Sequence, residues 1–121
     1  MVRAKLKGIE NNSSYDLDPV TYIPDDFEDF SCRFTLRIGP AKEKGQDLFY
    51  LTICTPNYLA RGVHRDGFIW GRHHLIVPEY NVKAITAVLT KFVEVCDGET
   101  WREVADKLCR LMSWEFEDYQ Q

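Results

Sequence analysis

The segment from Cys32 to Cys54 constrains the fold more than any other part of the chain. Cys32, Phe34, Leu36 and Ile38 alternate with Arg33, Thr35 and Arg37, and the alternation stops at Gly39-Pro40. Successive side chains on a strand point to opposite faces, so this pattern predicts a strand with one apolar and one polar face. The polar stretch AKEKGQD then reads as a turn. The run DLFYLTICT after it is nearly unbroken in apolar residues, which predicts a central strand covered on both faces. A hairpin is the simplest connection between the two.

The flanking segments supply the rest of a layered domain. Val2, Ala4 and Leu6 alternate with Arg3, Lys5 and Lys7, predicting a first strand over residues 2–7. Thr55-Pro56 has the form of an N-cap followed by proline at the first helical position, predicting a short helix over 56–62 that ends near Gly62. Residues 68–77 read as a fourth strand after the turn signal at Asp66-Gly67. From Val82 the apolar positions Ile85, Leu89, Phe92, Val93 and Cys96 recur at helical spacing and stop at Asp97-Gly98. A capping box, Thr100 with Glu103, opens a last amphipathic helix that is expected to reach Met112. Alternation in SWEFEDY suggests a final strand or packed tail. The order of elements fits one α+β domain spanning residues 1–121, a mainly antiparallel sheet with the two C-terminal helices packed on one face.

Composition excludes several classes. The 121 residues are 45% hydrophobic and 28% charged, close to globular averages. The N-terminus has basic residues but no apolar signal core, and no window approaches the length of a membrane span, so a soluble cytoplasmic protein is expected. Cys32, Cys54, Cys96 and Cys109 form no CxxC pair and no zinc-ligand spacing; each lies in or beside an apolar segment, as reduced core thiols do.

Charge is distributed unevenly around a net value of -4. Between Lys7 and Arg33 there is no basic residue, while Glu10, Asp16, Asp18, Asp25, Asp26, Glu28 and Asp29 fall in that gap. Glu115, Glu117 and Asp118 follow the last basic residue, Arg110. Such surfaces repel phosphate backbones, which makes DNA or RNA a poor direct ligand and a basic protein a good one. Tyr15, Tyr22, Phe27, Phe30, Trp114, Phe116 and Tyr119 lie among these acids, and aromatic anchors within a charged rim are a normal interface composition. The long segment 11–30 is therefore expected to be a loop pinned to the core by its aromatics.

The stretch GRHHLIVPEY, with Arg72, His73 and His74, invites a catalytic or metal-binding reading. On an extended strand His73 and His74 point to opposite faces, one beneath the helices and one outward, and could not chelate one ion together. The chain has no GxSxG, HExxH, phosphate loop or dinucleotide-binding glycine motif. No catalytic residue, cofactor or metal site is assigned. A motifless small hydrolase and an adaptor that binds peptides by strand addition are the alternatives to a protein-binding module.

Five blocks in order, RIGP at 37–40, CTPNYLARGV at 54–63, DGFIWGRHHLIVPEY at 66–80, GETWREVADKLCRL at 98–111 and WEFEDY at 114–119, resemble the bacterial Immunity protein 8 family. The resemblance implies an antitoxin role. Such proteins are encoded beside polymorphic or contact-dependent toxins, bind the toxin domain and neutralise it, and are not regarded as enzymes. An acidic binder suits a basic toxin, such as a nuclease with a phosphate-binding groove. The expected toxin contacts are Asp16, Asp18, Asp25, Asp26, Glu28 and Asp29, then Glu115, Glu117 and Asp118, with Arg72 and His73 as further candidates.

Overall fold

The computed structural model describes residues 1–13 and 18–117. Its elements are β1 (Val2–Asn11), β2 (Ser31–Pro40), β3 (Asp47–Cys54), α1 (Pro56–Asp66), β4 (His74–Ile76), α2 (Val82–Glu94), β5 (Asp97–Gly98), α3 (Trp101–Leu108) and β6 (Ser113–Trp114). Strands run in the order β4-β3-β2-β1-β5, and β6 also pairs with β3. This is the α+β class that the sequence predicts, with every pair antiparallel except β3 with β4.

The hairpin register explains the core. Cys32 lies opposite Ile53, Phe34 opposite Leu51, and Leu36 opposite Phe49, so the apolar positions of β2 and β3 share one face. Leu6 and Ile9 of β1 join them opposite Ile38 and Leu36, with a bulge between Leu6 and Gly8 that keeps the apolar set on that face. Ile85, Leu89 and Val93 of α2 and Val104, Ala105 and Leu108 of α3 are buried in the same cluster. The second face of the sheet is polar and partly open. Arg33 stacks over the Tyr50 ring at 4.8 Å, and Arg37 pairs with Glu10. Tyr50 and Thr52 are only half-buried, so β3 is not covered equally on both faces as its apolar run predicts.

The β3 edge opposite β2 is closed by two short strands placed end to end. β4 pairs with Thr52 to Cys54, and β6 pairs with Phe49 and Tyr50. Asp47 fastens this seam: its Oδ2 accepts hydrogen bonds from Trp101 Nε1 at 2.8 Å and Trp114 Nε1 at 3.0 Å. Trp114 stacks on Phe49, the residue it opposes.

Several boundaries differ from the sequence reading. β1 continues to Asn11. α1 continues one turn beyond Gly62 and ends at Gly67, whose φ of 85° lies in the left-handed region. Gly62 serves packing instead: a Cβ there would stand 2.7 Å from Ile69 Cδ1. α3 stops at Leu108, and Met112 is buried from the turns that follow. Thr100 and Glu103 form the predicted capping box.

The strand expected over 68–77 shrinks to 74–76. Residues 68–73 are a loop, and His73 has a φ of 62°, which no strand residue adopts. The placement of His73 and His74 on opposite faces of one strand is thereby overturned. The side chain from this strand that packs on the core belongs to Leu75, paired with Ile53.

Candidate functional site

The loop from Asp18 to Phe30 crosses the end of the sheet and is held from beneath. Phe30 is buried, and its ring meets Tyr80 edge-on at 5.2 Å; Tyr22 meets the same ring at 5.3 Å. Tyr80 Oη donates to the Pro19 carbonyl at 2.7 Å, and the Tyr80 amide donates to the Phe27 carbonyl at 2.7 Å. Thr55 sits at the N-cap position of α1, as its sequence predicts, yet its hydroxyl does not cap the helix. It accepts from the Phe30 amide at 3.0 Å while its own amide donates to the Phe30 carbonyl at 3.1 Å. Asn57 Nδ2 donates to the Glu28 carbonyl at 3.0 Å, and Arg61 pairs with Asp29. The loop is thus clamped to β3, α1 and the segment before α2. Burial shifts the Tyr22 hydroxyl up to about 12 and raises that of Tyr80.

What this scaffold presents outward is acidic and apolar together. Asp25, Asp26 and Glu28 are exposed, and no salt bridge among the described residues engages them. Asp26 Oδ1 accepts from the Glu28 amide at 2.9 Å, and Asp18 Oδ1 from the Val20 amide at 2.9 Å, the turns in which a short carboxylate stiffens the backbone. Between these acids Ile23 is 73% exposed and Phe27 47% exposed. Phe27 is therefore not core, whereas Phe30 is. Asp29 is unlike its neighbours: one oxygen is spent on Arg61, and the other is buried with no hydrogen-bond partner among the described residues. Asp16 and Tyr15 lie outside the described residues.

The second acidic segment is built differently. Glu115 accepts from the Leu48 amide and extends the β3–β6 pairing, which the Glu115 amide continues by donating to the Leu48 carbonyl at 3.0 Å. Glu117 Oε1 accepts from Arg72 at 3.3 Å, linking the segment after β6 to the segment before β4. Burial, then nearby Glu117, pushes the Cys109 thiol up to about 11. His73 shares this seam; burial, then Arg72, lowers its pKa, and its Nε2 is buried with no hydrogen-bond partner among the described residues. His74 Nδ1 contacts the Arg72 carbonyl at 2.9 Å. Asp118 and Tyr119 lie outside the described residues.

A family model, Immunity protein 8, matches residues 4–119. The chain belongs to the Immunity protein 8 family. No curated protein and no solved structure matches it.

Among the described residues, no group of three or more His, Cys, Asp or Glu side chains is placed to hold a metal ion. The four cysteines are free. Among the described residues, no helix is long and apolar enough to cross a membrane.

Sequence reasoning missed Thr55, Tyr80 and Asn57, which hold the loop without carrying charge. It also read Phe68 and Trp70 as strand residues, with Trp70 a candidate contact on an outward strand face; both are exposed, but from a loop. The sequence signal for that loop was available: glycines at 67 and 71 bracket FIW and break a strand.

Proposed function

We propose that this immunity protein neutralises a basic toxin domain, of which a nuclease is the best-fitting kind, by direct binding through its acidic loop. Asp25, Asp26 and Glu28 are the central contacts, with Asp16 and Asp18 as further contacts. The observation that carries this reading is the contrast in fastening: the loop backbone is clamped, while Asp25, Asp26 and Glu28 are exposed, with no salt bridge among the described residues, beside exposed Ile23 and Phe27. Fixed negative charge steers a basic partner to fast encounter. A clamped loop also gives up little conformational freedom on binding.

The second patch of Glu115, Glu117 and Asp118, with Arg72 and His73, is the weaker candidate, because Glu115, Glu117 and Arg72 are already engaged within the protein. The reading is one of binding without catalysis. Its test is co-expression with the toxin domain encoded beside the gene. Growth should be restored, and the two proteins should co-purify as a stoichiometric complex. Failure of the wild-type chain to do either, or turnover of a substrate by the chain alone, would overturn it.

A further inference from the structure

The connection from β3 to β4 carries a feature that neither the core nor the acidic loop uses. Within α1 only Gly62 is buried, although its apolar and polar residues are segregated to different sides as in a helix that packs on something. Val63 is exposed, and after the stop at Gly67 the chain continues as Phe68, Ile69 and Trp70. Ile69 turns inward onto Gly62. Its neighbours are left outward: Phe68 is 62% and Trp70 81% exposed, their rings edge-on with centroids 6.0 Å apart. Ile76 on the edge strand β4 is exposed as well. Singly exposed apolar residues are ordinary, but an exposed tryptophan and phenylalanine in edge-on contact on one loop mark an interaction surface.

We infer that Phe68 and Trp70 form a second, apolar contact for the same toxin domain that the acidic loop recruits, inserting into an apolar cleft on that partner. This rests on the proposed function. The choice of occupant follows from continuity and charge. The acidic loop is fastened to the first turns of α1 through Asn57 and Arg61, and the aromatic pair stands at the far end of that helix. An 11-residue helix spans about 16 Å. A standard interface buries about 800 Å² per partner, a patch about 30 Å across, and so reaches both. Charged loops set encounter rate, whereas buried aromatics dominate the lifetime of the complex. A second copy of this chain is the poorer occupant, because a twofold contact spanning the same surface would bring two acidic loops into one interface and add to its negative charge.

The test uses the full chain and the toxin domain encoded beside its gene, made inactive by substitution, with binding kinetics measured at several salt concentrations. Trp70→Ala and Phe68→Ala should leave thermal stability unchanged, since both side chains are exposed. Trp70→Ala should raise the dissociation rate about thirtyfold or more, with Phe68→Ala smaller, and neither should change the salt dependence of association. If the wild type binds and both variants dissociate at the wild-type rate, the aromatic contact is wrong and the acidic-loop reading stands. If the wild type does not bind, both fall. A wild-type dimer in sedimentation that Trp70→Ala dissolves would assign the surface to self-association and overturn the inference.

Discussion

The two acidic segments of this chain have similar compositions and opposite fates. In the loop from Asp18 to Phe30 the backbone is fastened by Thr55, Asn57 and Tyr80, and Asp25, Asp26 and Glu28 are left to solvent. In the segment after β6 the carboxylates themselves are the fasteners, Glu115 to the Leu48 amide and Glu117 to Arg72. A carboxylate engaged inside the fold must break that bond before it can meet a partner, whereas one held free on a stiff loop has no such cost. Acidity alone therefore does not mark an interface. On the proposed reading, what marks it is acidity left unspent by a rigid support.

The sharpest way to break this comparison is to remove the support. Phe30→Ala deletes the buried ring beneath the loop and should cost about 3–5 kcal/mol in chemical denaturation. A cost under about 1 kcal/mol would mean that the loop is not anchored there. Next come the carboxylates. Glu115→Ala and Glu117→Ala should each destabilise by about 1 kcal/mol, while Asp25→Asn and Glu28→Gln should stay within about 0.5 kcal/mol of wild type. Equal effects from the two sets would erase the distinction drawn between the segments.

The smallest effect concerns pH. His73 has its pKa lowered in the folded state by burial and by Arg72, with Glu117 opposing. The unfolded chain then takes up this proton first, so stability from neutral His73 is complete above about pH 6.5 and declines as pH falls through 6.5 toward the lowered folded value. His73→Asn removes the titration and suits the positive φ, since asparagine tolerates the left-handed region. Between pH 7 and pH 5.5 the variant should lose less stability than wild type. Parallel pH profiles would show that His73 does not titrate differently on folding.

The sequence shows clearly what local pattern controls. The alternation of β2, the turn after Pro40, the periodicity of α2 and the Thr100–Glu103 capping box each depend on residues a few positions apart, and each is found in the structure. It is silent where the deciding partner is distant. Glu115 and Leu48 lie 67 residues apart and Arg72 and Glu117 45 apart, so no spacing reveals that the terminal acids are engaged. The FIW segment reads as strand because an apolar run follows a turn signal; in the structure Ile69 meets Gly62 of a helix instead of a sheet core. Likewise Thr55-Pro56 announces a helix start, but not that the threonine hydroxyl is diverted to Phe30.

The central claim is that the loop carboxylates recruit the toxin, and association kinetics test it most directly. Stopped-flow mixing with the inactivated toxin domain, at rising salt, should give a fast wild-type rate that falls steeply with ionic strength. Asp25→Lys/Glu28→Lys should associate at least tenfold more slowly at low salt, with a much flatter salt dependence. Association rates and salt slopes that match the wild type would contradict the account.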